Sequence, residues 1–434
     1  MNTKKIAVIG SGISGLTSAL LLQDQHNVSL FEQNDYYGGH THTIDVEHDG
    51  KTYPVNTGFI VFNDWTYPNF IKLMSYLDVE SEASSMSFSV RCDKTGLEYN
   101  GADFNSLFCQ RRNIVNPGFW LMIKDILRFN KEATGQHLDG TLSQTQTLGE
   151  YLEANGYGHK LKQYYIVPMG AAIWSCPESA MLNFPVSFFV RFFHNHGLLS
   201  VNDRPQWRVI QGGSRSYVSK LLEKLTGPKF LERKIIKIRR QSGKILLRDS
   251  QGIVEEFDKV VLACHSDQAL QLLEQPSPDE QQVLSALPYQ DNSVVLHTDT
   301  SLLPRRKLGW AAWNYRITNQ PDNPVALTYN MNILQNFSSD KTFCVSLNQD
   351  QQIDPKKIIE RYTYAHPCFS HEGIDAQAKH SLINGVNNTY YCGAYWSNGF
   401  HEDGVNSAIA VAKALNINFE EVLRPWKAQF SKAS

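Results

Sequence analysis

Three glycines and one acid near the amino terminus have the spacing of a phosphate-binding loop. Gly10, Gly12 and Gly15 stand in GxGxxG order, and Glu32 follows further along the chain. In such a loop the first glycine permits a tight turn, the second lets the backbone approach a pyrophosphate, and the third lets a helix pack closely on a strand. An acid about 20 residues later can accept hydrogen bonds from both ribose hydroxyls of an adenosine. These residues predict that the chain binds a dinucleotide.

The surrounding segments predict the elements that must position this loop. A short apolar run, IAVI, precedes the glycines, an apolar helical run follows them, and a second apolar run, VSLF, ends at Glu32. This order predicts a strand, a helix and a second strand, with the amino terminus of the helix facing the phosphates.

A second glycine pair indicates which dinucleotide is bound. Gly38 and Gly39 come directly after the ribose-binding acid, and the segment VNTGFIVFN follows at residues 55–63. A nicotinamide dinucleotide leaves the fold along the strand ends and needs no second glycine loop. A flavin dinucleotide is long and runs past several loops, so the pair favours FAD and disfavours a nicotinamide-dependent dehydrogenase.

Composition excludes several classes of protein. The chain has 434 residues, which is enough for two or three domains, and its 41 basic residues nearly balance its 43 acidic residues, which argues against an electrostatic nucleic-acid binder. Its seven cysteines are scattered without a CxxC pair, which argues against a zinc site and for a reducing compartment. No signal peptide is visible, and no apolar run approaches the ~20 residues of a membrane span. We expect a cytoplasmic protein, with contact to a membrane surface left open.

The order of segments predicts an α/β fold with two discontinuous domains. A Rossmann-like FAD-binding domain, with a parallel sheet and an antiparallel β-meander, is expected from residues 1–65, 207–286 and 385–434. The meander is predicted by KIIKI, KILLRD and IVEEF, and KVVLAC then predicts a buried parallel strand. An interleaved α+β substrate domain is expected from residues 66–206, which are aromatic and helical, and residues 287–384, which are rich in strands.

At this point the sequence resembles the flavin-dependent amine oxidase and phytoene desaturase superfamily. The resemblance covers almost the whole chain and rests on GSGISG with Glu32, GGHT at residues 38–41, Gly58-Phe59-Ile60, Gly212-Gly213, KVVLAC and the segment GFHEDGV at residues 399–405. A narrower likeness, carried by residues 55–90, LFCQRRNIVNPGFWLMI, FHNHGLL and HEDG, is to a bacterial subfamily of predicted FAD-dependent oxidoreductases. The same module resembles the amino-terminal region of plant cyclopropane fatty acid synthases, whose methyltransferase part has no counterpart here.

The resemblance implies a set of FAD-binding residues. The pyrophosphate would lie against the first glycine loop, the ribityl chain along the second, and the flavin ring near residues 58–60 and the last helix, whose amino terminus would stabilise a reduced flavin. The residues implied are Gly10, Ser11, Gly12, Ser14, Gly15, Glu32, Gly39, His40, Thr41, Gly58, Phe59, Ile60, Ile235 (whose backbone would meet the adenine), Gly393, His401, Gly404 and Val405.

Three departures from the family pattern affect the chemistry. His40 stands where the family often has an arginine, which would make a charge on the pyrophosphate depend on pH. The carboxy-terminal strand ends in Gly393-Ala394 instead of glycine and an acid. Many amine oxidases have a lysine that holds a water against the flavin, and the matching stretch here offers Leu296 and His297. This last departure weakens the case for amine oxidation followed by reaction with oxygen.

The candidate catalytic residues are Phe400, His401 and Glu402. Phe400 takes the place of the family's substrate-facing aromatic residue, and its ring could hold a substrate against the flavin. His401 and Glu402 could donate or accept a proton. Alternatively, this loop only caps the last helix and binds the cofactor, with Asp403 as the cap.

Two aromatic segments could line a substrate chamber. Residues 183–199 carry five phenylalanines, which could form an acyl-chain tunnel, a surface that enters lipid, or an ordinary buried helix. Residues 310–316 alternate in a strand pattern that places Trp310 and Trp313 on opposite faces. Isolated histidines, among them His194, His196 and His297, do not predict a metal site, and Arg111-Arg112 and residues 305–307 are interpreted as solvated turns or contacts to a phosphate or lipid head group.

We therefore expect an FAD-dependent oxidoreductase that moves hydride from a substrate C–H or C–N bond to the flavin, with a lipid acyl chain or another hydrophobic molecule as substrate. One alternative is an amine oxidase. Another is a non-catalytic accessory module that presents lipid to a separate lipid-modifying methyltransferase.

Overall fold

A five-stranded parallel sheet carries the amino-terminal motif. The computed structural model describes residues 3–319 and 325–424. Its first strand, Lys5–Ile9, lies in the centre of the sheet, and Ile6, Ala7 and Val8 are completely buried, as expected for a strand covered on both faces. From edge to edge the strand order is Lys229–Phe230, Asn27–Phe31, Lys5–Ile9, Lys259–Leu262 and Thr389–Tyr391.

Helices cover one face of this sheet. The helix Ile13–Leu22 follows the glycine loop, is buried along its whole length and packs against the last long helix, His401–Ala414. Helix Pro68–Tyr76 shares this core through Phe70 and Leu73. The chain just after residue 65, which the sequence assigns to the substrate domain, therefore packs with the cofactor-binding sheet.

The predicted meander is confirmed as a three-stranded antiparallel sheet. Its strands Ile235–Gln241, Lys244–Asp249 and Val254–Phe257 pair in sequence order. Ile238, Leu247 and Phe257 pack with the buried strand Lys259–Leu262, so the meander covers the second face of the parallel sheet.

A seven-stranded sheet forms the second half of the molecule. All of its strand pairs are antiparallel except Trp313–Ile317 with Phe88–Cys92, which run parallel. Its strands come from the two segments that the sequence assigns to the substrate domain, although the domain division itself stays a prediction. The strand order is Ile358–Pro367, Tyr289–His297, Cys344–Leu347, Leu327–Asn330, Trp313–Ile317, Phe88–Cys92 and Glu98–Asn100.

Helices with aromatic side chains complete this half. Helix Val186–Asn195 is surrounded by others, and Phe184, Phe188, Phe189, Phe192 and Phe193 are all buried. The interpretation of this helix as a lipid-contacting surface is therefore wrong, because its rings form the core. The neighbouring helices are Pro117–Leu138, Leu148–Ala154, His159–Leu161, Val167–Trp174 and Glu178–Leu182.

Shorter elements connect the two halves. A hairpin packs through Tyr53 and Val55 on the core of the seven-stranded sheet, and a small three-stranded sheet reaches both cores through Val61 and Phe62. No helix of the described residues is both long and apolar enough to cross a bilayer. The remaining strands are Thr43–His48, Lys51–Asn56, Val61–Asn63, Ser81–Ala83 and Trp207–Ile210, and the remaining α-helices are Phe104–Leu107, Arg215–Lys224, Ser266–Leu272, Pro278–Ser285, Met331–Leu334, His371–Gln377, His380–Ile383 and Phe419–Val422.

Candidate active site and cofactor cleft

One cavity of about 1090 Å³ extends from the glycine loops into the second half of the molecule. Small-molecule sites usually measure about 300–1,000 Å³, so this cavity exceeds the usual range. Of the predicted site residues, those that line it are Gly10, Ser11, Gly12, Ser14, Glu32, Gly39, His40, Gly58, Phe59, Ile60, Ile235, Gly393, Phe400 and His401. The structure thus brings residues from the start, middle and end of the chain to one cleft.

Three glycines at the cleft, Gly10, Gly15 and Gly58, are packed too closely to carry side chains, whereas a Cβ on Gly12 would meet nothing within 4 Å. Gly10 has φ +101°, and a Cβ there would lie 2.5 Å from the Ala263 carbonyl oxygen. A Cβ on Gly15 would lie 1.9 Å from the Gly10 oxygen, so Gly15 lets the helix approach the loop and does not itself line the cavity. A Cβ on Gly58 would lie 2.1 Å from the His40 oxygen. These contacts leave bare backbone facing the cavity, which is the surface that a diphosphate and a planar ring require.

Glu32 lies at the end of its strand with both carboxylate oxygens engaged. One oxygen accepts a hydrogen bond from the Ser11 backbone N–H at 3.0 Å and another from the Ser11 hydroxyl, and the second accepts from the Asn34 N–H at 2.9 Å. The side chain is buried and lines the cavity. The acid is therefore held firmly at the position expected for ribose recognition.

Three histidines meet beside the phosphate loop. The His40 ring lies 6.0 Å from the His265 ring and 5.6 Å from the His366 ring, between centroids, and all three line the cavity. Burial lowers the pKa of His40, and burial with mutual repulsion lowers the pKa of His265 and of His366 to about 3. The Nε2 atom of His40 is buried without a hydrogen-bond partner among the described residues. Sequence reasoning missed His265, which precedes helix Ser266–Leu272, and His366, which lies on strand Ile358–Pro367, because nothing in the sequence indicates that these two distant segments meet.

His401 lies on the far side of the glycine loops, where it stacks on Phe59. The two ring centroids are 3.5 Å apart at 14°. Nε2 of His401 lies 3.0 Å from the Thr41 hydroxyl and 3.0 Å from the Tyr217 hydroxyl. Burial lowers the pKa of His401 well below its usual value. The ring is therefore neutral and held in place. Thr41 does not line the cavity itself, and its hydroxyl helps to position the His401 ring that does.

Two other predicted cofactor residues support the cleft from behind. A Cβ on Gly404 would lie 2.6 Å from the Ile13 side chain, so this glycine lets the last helix approach the first. Val405 is completely buried in the core that these helices share. Neither residue lines the cavity.

The structure places Glu402 away from the main cavity. Its carboxylate accepts hydrogen bonds from the backbone N–H groups of Asn69 at 3.0 Å and Phe70 at 2.8 Å, and so caps helix Pro68–Tyr76. Asp403 accepts from the Phe400 N–H at 2.9 Å and caps its own helix. Burial raises the pKa of Glu402, and it raises the pKa of Asp403 to about 6. These contacts are those of capping groups, and we do not propose Glu402 as a catalytic residue.

Phe400 belongs to an aromatic wall at the entrance to the second half of the cavity. Its ring lies 5.1 Å from Phe192 and 5.9 Å from His196. The His196 ring donates through Nδ1 to the Phe192 carbonyl at 2.9 Å, and burial lowers its pKa to about 4. Beyond this wall the lining is mostly apolar and aromatic, from Val61, Met86, Phe88, Tyr99, Tyr165, Met169, Ile173, Trp174, Leu198, Trp207, Val294, Trp313, Tyr329, Leu347 and Phe369.

The residues at the position of the family's lysine do not reach the cavity. Leu296 and His297 are completely buried, and the His297 ring is hydrogen-bonded to the Ser346 hydroxyl at 2.8 Å and the Asp299 N–H at 3.0 Å. Among the described lining residues the charged side chains are Glu32, Arg204, Arg233, Lys234 and Asp291. Lys234 stands beside Ile235, which is expected at the adenine, so no described lysine faces the apolar chamber.

The residues present fit FAD. The glycine cradle, the buried acid at the strand end and the unpartnered His40 nitrogen are distributed along one elongated cleft. Unpartnered buried atoms also occur on Trp174, Trp313, Tyr362 and Tyr395 in the cavity wall. Polar atoms left in this state are costly unless a ligand or water satisfies them.

The fold and the cleft define a flavin-binding oxidoreductase. A family model described as flavin containing amine oxidoreductase matches residues 13–333, about three quarters of the chain. The chain belongs to this family, and it is accordingly a flavin-dependent oxidoreductase with FAD as its cofactor.

Solved structures share this architecture. A CLA-producing fatty acid isomerase from P. acnes is similar with a TM-score of 0.67 and 17% identity, over 94% of this chain and 98% of that one. Putrescine oxidase bound to putrescine is similar with a TM-score of 0.69 and 13% identity, over 96% and 99%. Identities this low show a common fold alone.

One curated relative matches a short segment. A 1-hydroxycarotenoid 3,4-desaturase from Flavobacterium sp. (strain P99-3) is 52% identical over 44 residues. The match spans 10% of this chain and 9% of that protein, so it identifies a shared motif region and no more.

Proposed function

We propose that this protein moves hydride from a C–H bond of a lipid acyl chain, or of another long hydrophobic molecule, to FAD. The observation that carries the proposal is the chamber beyond Phe400, whose walls are apolar and aromatic. Bound FAD supplies a hydride acceptor at N5 of its ring. The chain supplies the cleft that holds the cofactor and the apolar walls that exclude water and orient the substrate.

Charge at the chamber favours an uncharged chain over an ammonium group. An amine that binds as a cation is normally paired with an acid or enclosed by aromatic faces. Glu32 lies beside the glycine loop, at the cofactor end of the cavity, where Ser11 and Asn34 hold it, and Asp291, the other acid of the described lining, is exposed to solvent. Two similar proteins named above, an isomerase of fatty acids and a desaturase of carotenoids, are also named for apolar substrates.

The aromatic walls leave one alternative. Trp174, Trp313 and Tyr329 line the chamber, and the Trp313 and Tyr329 rings meet edge to face at 4.9 Å. Such faces could hold a cationic amine, as an amine oxidase requires.

The test is anaerobic reduction of the purified holoprotein. Membrane lipid extract, free fatty acids, putrescine and cyclohexylamine are added separately, and the visible absorbance of oxidised flavin is followed, while mass spectrometry of the lipids detects loss of two hydrogens or a moved double bond. We expect lipids to change and amines to leave the flavin oxidised. Reduction by amines alone would establish the amine oxidase instead. A flavin that no extract component reduces, with unaltered lipids, would favour an accessory module acting with a lipid-modifying methyltransferase.

A variant at the chamber entrance sharpens this test. Phe400→Leu keeps an apolar side chain but removes the ring that packs on Phe192. We expect it to retain FAD and to be reduced by lipid more slowly than the wild type. Leu382→Ala, at an exposed position away from the cavity lining, is the matched control.

A further inference from the structure

A group of large apolar side chains is exposed where the short helix Phe104–Leu107 leads into helix Pro117–Leu138. Its members, called the apolar patch below, are Phe104 at 69% exposure, Ile114 at 45%, Val115 at 82%, Trp120 at 42% and Leu121 at 61%. Single exposed apolar residues are ordinary, but a contiguous group marks a contact surface.

The apolar patch is held rigidly by the core beneath it. Phe108 is completely buried, and its ring contacts Phe104 at 4.8 Å and Trp120 at 5.2 Å between centroids. The indole N–H of Trp120 donates to the Ile114 carbonyl at 2.8 Å. The exposed side chains are therefore presented in a fixed arrangement, which lowers the entropy cost of binding through them.

The apolar patch adjoins an opening of the substrate chamber. Tyr99, Gly101 and Ala102 all line the cavity, and Gly101 and Ala102 are exposed to solvent. Phe104 follows Ala102 by two residues. The apolar patch and this opening are thus separated along the chain by one residue, the exposed Asp103.

Positive charge surrounds the apolar patch. Arg111, Arg112 and Lys124 are exposed within or beside it, and Lys124 lies one helical turn from Trp120 and Leu121. The turn Lys307–Gly309, with the exposed Lys307, contacts the short helix Phe104–Leu107. The Arg111 guanidinium is fixed by the carbonyl oxygens of Asn105 at 3.2 Å and Phe108 at 3.0 Å.

Cations outnumber acids around the apolar patch. Glu98 is paired with Arg306 at 3.3 Å, and Asp103, the cap of the short helix, keeps one exposed negative charge against these four cations. Within residues 3–319 and 325–424, no salt bridge is formed by Arg111, Arg112, Lys124 or Lys307.

We propose that the apolar patch docks on the surface of an anionic phospholipid bilayer. The apolar side chains enter the boundary between head groups and acyl chains, and the surrounding cations meet the lipid phosphates, which is the chemistry of interfacial membrane binding. The chamber opening then faces the membrane. This proposal rests on the proposed function only where it assigns a membrane-derived substrate to the chamber. Binding of the protein to the bilayer is measured without any turnover of substrate.

The test is flotation of the FAD-loaded protein with vesicles of phosphatidylcholine, with or without phosphatidylglycerol. We expect binding to the mixed vesicles that weakens as salt is added, because screening reduces the electrostatic part. Val115→Glu and Leu121→Glu should each weaken partitioning about tenfold or more, since each removes an inserted apolar side chain. Arg112→Gln should weaken it about fivefold, since it removes from the protein one cation that meets the anionic lipids.

A matched control lies on the same helix. Leu138 is 67% exposed at the opposite end of Pro117–Leu138, and Leu138→Glu should bind vesicles as the wild type does. Equal loss with Leu138→Glu, or no binding to either vesicle, would overturn the proposal. The proposal would also be overturned if a second copy of the chain covers the apolar patch. Light scattering would then show an oligomer that Val115→Glu dissociates, and the wild type would not bind vesicles. Lipid oxidation in detergent is measured separately, so a failure of the proposed function leaves the vesicle result intact.

Discussion

Replacement of His40 tests how the cleft accommodates the diphosphate of FAD. The titratable groups around the His40 ring are His265, His366 and Tyr364, with His401 and Glu32 in the same cleft. At a ring separation of 5.6–6.0 Å, two imidazolium charges repel by about 3 kcal/mol at an effective dielectric constant of about 20. This repulsion corresponds to about two pKa units, so we expect at most one of the three histidines to be positively charged near neutral pH.

The direction of the pH dependence follows from these pKa values. In the free protein burial holds the pKa of His40 below its usual value, so the ring is neutral at pH 7. The negative diphosphate raises that pKa, so binding of FAD takes up a proton. The dissociation constant of FAD should therefore rise with pH, by up to about tenfold per unit for one proton, between the pKa of the free protein and that of the complex.

Calorimetric titration of the apoprotein with FAD measures this proton directly, when it is repeated in buffers of different ionisation enthalpy. The wild type should take up close to one proton. His40→Gln should take up fewer and bind more weakly, and His40→Arg should bind tightly with little dependence on pH because arginine stays charged. The reasoning would be refuted if the wild type takes up no proton on binding FAD and its dissociation constant for FAD is the same at about pH 6 and at about pH 8.

Three further predictions concern the walls of the cleft and its supports. Gly58→Ala places a Cβ 2.1 Å from the His40 oxygen and should weaken FAD binding at least about tenfold in an equilibrium titration, whereas Gly135→Ala, in open space on a helix, should not. Glu402→Ala should lower the free energy of unfolding by about 1–2 kcal/mol, because two backbone N–H groups lose their acceptor, and should leave the flavin spectrum unchanged; loss of flavin would contradict the capping role. The raised pKa of Asp403, about 6, means that the folded protein binds a proton on this group more tightly than the unfolded chain does. The group therefore stabilises the fold below about pH 4 and loses that contribution as pH rises through about 6. Asp403→Asn should gain about 3 kcal/mol relative to the wild type over that interval, and a difference in unfolding free energy that stays constant with pH in denaturant melts would count against it.

The parallel sheet and its cofactor loop were predictable because their signals are local. The strand, the glycine triplet, the helix and Glu32 occupy fewer than forty consecutive residues, and each has a requirement visible in the residue type. The antiparallel meander was equally clear from its short strands and turns. These features depend little on what the rest of the chain does.

The role of Glu402 could not be predicted in this way. It stands beside His401 in a loop rich in chemistry, but its carboxylate turns to a helix terminus more than 300 residues earlier in the chain. The contacts between His40, His265 and His366 likewise depend on which strand ends meet. The aromatic helix Val186–Asn195 could not be interpreted for the same reason. Its phenylalanine spacing predicts an apolar face, but does not say whether other helices or a lipid surface cover that face.

The central position of the first strand has a consequence for synthesis of the chain. Lys5–Ile9 pairs with Lys259–Leu262, and the sheet is completed by Thr389–Tyr391, about 380 residues after the first strand. At about 5–20 residues per second, the ribosome needs on the order of 20–80 s to deliver that last strand. Throughout this interval the helix Ile13–Leu22, which is completely buried in the finished fold, lacks its partner His401–Ala414, so the nascent polypeptide depends on chaperones or on provisional collapse until translation is nearly finished.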